Sequence, residues 1–186
     1  ALEQHEMELI PAADGQYSVD MQAFEAAISE RTRIFMLCNP QTPTGRVFRK
    51  AELETMAEIC LRHDVIICAD EIHSDLVFDG HKHFPIATLA PEIAANTITL
   101  FAPSKTFNIA GLEASVAIIE DDDLRAKFEG ARQGLVGWVN LFGQVATQAS
   151  YQHGEPWLEA LLTYLQANRD YVFDFVNQEL PGISML

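Results

Sequence analysis

The chain predicts an α/β fold, a mostly parallel sheet with flanking helices, and three observations carry that expectation. Continuous apolar runs of strand length recur at residues 34–38, 65–69 and 98–101. Such runs, apolar on both parities, are what strands covered on both faces of a parallel sheet look like. Between the first two lies a stretch with apolar residues at helical spacing, and each run ends in polar residues suited to chemistry. Strand, helix and strand in that order form a βαβ unit.

The elements follow in order. After an irregular start, Asp20 is placed to cap a helix reaching about Glu30, with Phe24 and Ile28 on one face. The first strand, 34–38, stops at Asn39-Pro40, and the two prolines of 39–45 rule out regular structure there. That segment is a shaped loop at a strand's C-terminal edge. Leu53, Met56, Ala57, Cys60 and Leu61 mark a helix over 50–63, and strand 65–69 follows almost at once. The run 98–101 leads into a lysine-bearing loop, 114–119 reads as a fourth strand, and the acidic cluster 120–123 suits the start of a helix. Helices are expected from Asp123 to about Gly134, from Asn140 to His153, and from Pro156, at a first-turn position, towards Leu180. Leu158, Leu161, Leu162, Leu165, Tyr171, Val172 and Phe175 lie along the last. At roughly 24 residues it is long enough to bridge two domains, so the chain divides at 1–154 and 155–186.

Composition bounds the function. Twelve basic against twenty-seven acidic residues give a net charge of −15, which repels nucleic acid and anionic membranes. No apolar run approaches a membrane span, and the N-terminus lacks a basic region followed by an apolar one, so a soluble cytoplasmic protein is expected. Cys38, Cys60 and Cys68 form no C-x-x-C pair and read as reduced core thiols. The first residue is Ala1, and a new element is expected after Leu180-Pro181-Gly182, so the chain is expected to be a piece of something longer.

Two edges carry the chemistry. Lys105 ends one apolar run in Phe101-Ala102-Pro103-Ser104-Lys105-Thr106, and Asp70 ends another in Ala69-Asp70-Glu71-Ile72-His73. A lysine at a strand exit can form an imine with an aldehyde, and an aspartate at a parallel exit can keep a pyridine nitrogen protonated. Pyridoxal phosphate uses both. The two residues are separated by room for one crossover, and ligands of open α/β sheets bind outside the carboxyl ends of the strands.

Asp-Glu-Ile-His-Ser-Asp at 70–75, Gly80-His81-Lys82-His83, Ala-Pro-Ser-Lys-Thr-Phe-Asn at 102–108, Tyr151-Gln152-His153-Gly154 and Pro156-Trp157-Leu158 stand together in this chain. The combination resembles the large domain of the fold-type-I pyridoxal-phosphate enzymes, the aminotransferase class I and II superfamily, and within it the cystathionine β-lyase (C–S lyase) branch. The likeness covers nearly the whole chain. It implies pyridoxal 5'-phosphate as cofactor, Lys105 as the Schiff-base lysine and the base that moves the substrate Cα proton, and Asp70 as partner of the pyridinium nitrogen. It also implies Ser104 on the cofactor phosphate, and His73 where many relatives place a tyrosine near the ring's phenolic oxygen. An S-substituted cysteine such as cystathionine would be cleaved to thiol, pyruvate and ammonia by a homodimer; an aminotransferase of the same superfamily is the alternative.

Three positions depart from that pattern. Thr42 stands where the family's Asn-Pro-x-Asn-Pro-x-Gly loop has its second asparagine, on the phenolic oxygen, and its hydroxyl is shorter. Ala102 replaces a phosphate-binding serine and Glu113 a phosphate-binding arginine of many aminotransferases, which points towards the lyase branch. By the same resemblance, the glycine-containing phosphate loop and a cofactor-covering aromatic lie before Ala1, and the substrate-carboxylate arginine lies after Leu186.

Other readings compete. Ser104-Lys105-Thr106 ends like a P-loop, but no glycine precedes Lys105 in the required pattern. Asp70, Glu71, His73, Asp75, His81 and His83 are dense enough for a metal-dependent hydrolase, although no H-x-x-x-H spacing occurs. An inactive truncated domain is a third possibility.

Overall fold

Strand pairing in the computed structural model, which describes residues 3–11, 16–132, 134–183 and 185, gives a four-stranded sheet and a small two-stranded ribbon. The ribbon joins β1 (Ile10–Pro11) to β2 (Tyr17–Ser18). The main sheet runs in the order β3 (Ile34–Cys38), β4 (Ile66–Asp70), β5 (Thr97–Phe101) and β6 (Val116–Ile118). Its first three strands are parallel and β6 is antiparallel to β5. The expected mostly parallel α/β sheet is therefore present.

Helix α1 (Met21–Ala26) starts where expected, with Asp20 Oδ1 accepting from the Gln22 and Ala23 N–H groups at 2.9 and 3.0 Å. It ends short of Glu30, because Ser29 and Thr32 build a local hydroxyl–backbone network that competes with the helix. Helix α2 (Lys50–Arg62) is the βαβ crossover, and Glu52 reaches back to the Arg49 N–H at 3.0 Å.

Leu53, Met56, Ala57 and Cys60 of α2 pack with Leu37 of β3, Ile67 and Ala69 of β4, Phe24 and Ile86 into one cluster. Each large aliphatic or aromatic side chain there contributes about 1.5–3 kcal/mol by leaving water. Burial pushes the Cys60 thiol up to about 12, so it behaves as a small core hydrophobe, as expected.

One expectation fails. Strand β3 is not covered on both faces: Leu37 is buried, whereas Ile34 and Met36 are 53% and 73% exposed. The core cluster occupies one side of the sheet, and β3 is the edge strand, so among the described residues nothing covers its other side.

Two short helices went unanticipated. Helix α3 (Pro91–Ala95) precedes β5, and α4 (Pro103–Thr106) turns the expected lysine loop into a single helical turn. In both, proline occupies the first turn, where its missing N–H costs nothing. The C-terminal part follows the sequence reading: α5 (Asp122–Arg132), capped by Asp121 on the Leu124 N–H at 2.7 Å, α6 (Leu141–His153), capped by Asn140, and α7 (Glu155–Glu179). Asn140 also donates to the Leu112 carbonyl at 2.9 Å, and Gly143 lets α6 approach that carbonyl closely. Among the described residues no helix is long and apolar enough to cross a membrane.

Candidate active site

The register puts three strand ends in line. Cys38 pairs with Asp70, and Asp70 with Leu100. The ladder continues one step further, because Asn39 N–H donates to the Asp70 carbonyl at 3.0 Å and Glu71 N–H to the Leu100 carbonyl at 3.1 Å. The loops after β3, β4 and β5 thus leave the same edge.

Asp70 is the last residue of β4, half-buried, on the sheet face opposite the core cluster. Its Oδ1 accepts from the Ile72 N–H at 3.3 Å, and among the described residues no cation pairs with it. Burial and then the Asp70 charge push the neighbouring Cys68 thiol up, as a carboxylate on the same face would. His73 is half-buried in the turn that follows, where the Leu76 N–H bonds its carbonyl at 2.9 Å.

Lys105 lies on α4, five residues beyond Leu100, exposed and with no carboxylate partner among the described residues. Ser104 precedes it, half-buried, its carbonyl accepting from the Ile109 N–H at 3.2 Å. The short helix is held on two sides. Thr106, fully buried, donates from Oγ1 to Asp75 Oδ2 at 2.8 Å. The Phe107 ring packs edge-on against Tyr151 at 5.4 Å and near Trp157 at 6.3 Å. Burial, and secondarily Asp75, push the Tyr151 hydroxyl up.

The loop after β3 is equally shaped. Asn39 is fully buried and its Oδ1 accepts from the Phe48 N–H at 3.1 Å, while Gln41 and Gly45 close the turn through Arg46 and Gln41 carbonyls. Thr42 sits exposed at its tip, and its hydroxyl has no hydrogen bond among the described residues. Asp70, His73, Ser104 and Lys105 accordingly stand at two adjacent exits, with Thr42 on the third loop. Ala102 precedes α4, and Glu113 is exposed after a 3₁₀ turn.

The metal expectation finds no cluster: among the described residues no three or more His, Cys, Asp or Glu side chains gather. Glu71 and His83, two of its candidates, instead bond each other at 3.1 Å. Sequence reasoning had no role for Thr106, which fixes the lysine helix. The alternation along β4 could have separated Glu71 from Asp70, since it sends them to opposite faces.

An open α/β sheet presenting a lysine and a carboxylate at neighbouring strand ends has the layout of the fold-type-I pyridoxal-phosphate enzymes. The chain belongs to the aminotransferase class I and II family, whose model matches residues 1–186. It is similar to cystathionine beta-lyase PatB of Bacillus subtilis, 44% identical over 93% of this chain and 45% of that protein. Protein MalY of Escherichia coli is 37% identical over 92% of this chain and 44% of its own length. Among solved structures, cystalysin from Treponema denticola, described as containing a pyridoxal 5'-phosphate cofactor, superimposes with a TM-score of 0.91 at 34% identity, over 95% of this chain and 45% of that one. The chain spans about 45% of the length of the curated relatives it matches.

Proposed function

We propose that this chain is the central part of the large domain of a pyridoxal-phosphate-dependent C–S β-lyase acting on cystathionine or a similar S-substituted cysteine. The observation that carries it is the pairing of Asp70 and Lys105, a half-buried carboxylate and an amine, neither with an ionic partner among the described residues, at adjacent parallel strand ends. That donor set fits the cofactor: an amine for its aldehyde, a carboxylate for its ring nitrogen, and a hydroxyl and an imidazole for its oxygens.

Bound pyridoxal phosphate supplies an aldehyde for covalent attachment and a ring that accepts electrons. Asp70 holds the proton on the ring nitrogen, because a carboxylate beside it favours the charged form. Ser104 Oγ would serve the phosphate and the His73 imidazole the ring oxygen, with Thr42 at the place of the family's asparagine contact but on a shorter side chain. Lys105 Nζ takes the proton from the substrate Cα, so that the sulfur at Cβ leaves as thiolate. Similarity to PatB and the departures at Ala102 and Glu113 support the lyase outcome. Membership of an aminotransferase family supports a second reading, in which Lys105 returns the proton elsewhere and the amino group is transferred.

The reading extends to the whole protein: a cytoplasmic homodimer acting on small amino acids, with no nucleic-acid or membrane partner, in which 1–154 belong to the large domain and 155–186 lead to a smaller one. Exposed Leu135, Val136, Trp138, Leu141 and Phe142 support a subunit interface on that side.

The test uses the full-length protein supplied with pyridoxal phosphate. A visible absorbance that borohydride fixes onto Lys105 is expected, and its absence overturns the cofactor. Pyruvate from cystathionine without a keto acid is expected; strict dependence on a keto acid establishes the transaminase instead.

A further inference from the structure

Glu71 is the one fully buried charged side chain among the described residues, it directly follows Asp70, and the proposed chemistry does not use it. Strand alternation turns it to the core side with Ala69 and Ile67, while Asp70 points to the other face with Cys68. Both its oxygens are engaged, Oε2 with His83 Nε2 at 3.1 Å and Oε1 with the Ile86 N–H at 3.0 Å. The His83 side chain is itself only 7% exposed. The Glu71 backbone is tied as firmly, its N–H to the Leu100 carbonyl at 3.1 Å and its carbonyl to the Ser74 N–H at 3.0 Å.

We propose that the buried Glu71–His83 pair is a positioning device for Asp70, a role that rests on the cofactor reading above. Four bonds on one residue anchor it to β5, to the following turn and to the 83–86 segment. Because alternation couples neighbours, an anchored Glu71 keeps Asp70 on the open face, where its bond to the Ile72 N–H orients the carboxylate. Removing His83 leaves one oxygen of the buried Glu71 side chain without its hydrogen-bond partner. Glu71 then gains by turning towards water, and that rotation carries Asp70 away from its place.

The experiment compares the parent full-length protein with H83A, H83Q and D70N. Glutamine can present an amide donor where the imidazole Nε2 stood. In the cofactor-free protein, H83A is expected to speed amide exchange at residues 70–76 by about tenfold while residues 66–69 and 97–101 keep their protection, and H83Q to restore it. With pyridoxal phosphate bound, H83A is expected to move the pH midpoint of the visible band in the same direction as D70N, and H83Q not to. Equal loss of protection across β4 and β5, or a midpoint unmoved in H83A, overturns the positioning role. A parent protein with no visible band overturns its cofactor side, and the exchange measurement still tells whether His83 holds the Asp70 turn.

Discussion

Thr106 Oγ1 donates to Asp75 Oδ2 at 2.8 Å, joining the one-turn helix that carries Lys105 to the loop that leaves β4 at Asp70. The two proposed ends of the site are thereby held by a charge-assisted hydrogen bond between segments 31 residues apart in sequence. Thr106 is 1% exposed, so Thr106→Val keeps its shape and deletes only the donor. Loss of about 1.5–3 kcal/mol is expected, the usual worth of a hydrogen bond to a charged group. Denaturant unfolding checks it, and Thr106→Ser should recover most of the loss; equal stability of all three proteins would show that water replaces the bond.

Gly154 matters for space rather than for backbone freedom. A Cβ there would lie 2.5 Å from Phe107 Cε1 and 2.4 Å from the Ser150 carbonyl oxygen. Its φ of −82° is open to any residue, so a substitution acts through those two contacts. Gly154→Ala should displace the Phe107 ring, loosen the end of the lysine helix and cost about 1–3 kcal/mol, as overpacking does. A thermal midpoint equal to the parent's would mean that both the Phe107 ring and the end of α6 at Ser150 give way freely.

Thr42 invites a gain-of-contact test. It is exposed at the tip of the β3 loop, with a hydroxyl that bonds nothing among the described residues. An asparagine reaches further. Thr42→Asn should slow release of pyridoxal phosphate from the full-length protein by about two- to tenfold, the range of one added hydrogen bond, while Thr42→Ala should leave it near the parent rate. Faster release from the alanine variant would show that the threonine already makes the contact.

The three parallel strands were legible to within a residue because such strands read as continuous apolar runs, and the exits bearing Asp70 and Lys105 followed from them. By contrast, 114–119 overran β6, and the β1–β2 ribbon lay in what read as an irregular start. What such runs conceal is which face is covered. Ile34 and Met36 are as apolar as Leu37, yet only Leu37 meets α2, a fact of layer packing that no strand declares by itself. The direction of β6 was equally hidden, since periodicity is blind to chain polarity. The lysine-bearing segment read as a loop, yet Pro103 begins a single helical turn there. In the site, residue type announced Asp70 and Lys105, but Glu71 looked like a second ligand until its burial against His83 showed an internal partner.

Arg169 links α7 to the loop beyond the site, and its effect should depend on acidity. It bonds both oxygens of Asp79, at 3.0 Å from Nη2, and lies over the Phe78 ring at 5.6 Å, while Gln166 accepts from the Asp79 N–H at 3.2 Å. The Arg169 hydrogen bond holds the Asp79 carboxyl below its ordinary 3.8, outweighing the opposing effect of burial. A carboxylate with a depressed folded-state pKa stabilises the fold above its unfolded value and loses that contribution as pH falls through the folded one. The link should therefore be complete above about pH 4 and fade below it. Arg169→Met keeps an apolar side chain of similar reach beside Phe78 and removes the guanidinium, and with it both the ion pair and the cation over the ring. The stability difference between parent and variant, followed through Trp157 fluorescence at the start of α7, should be constant at neutral pH and shrink as the solution is acidified below the ordinary aspartate value. A difference that stays the same down to the acid transition would mean that packing, and not the ion pair, holds α7 to the loop.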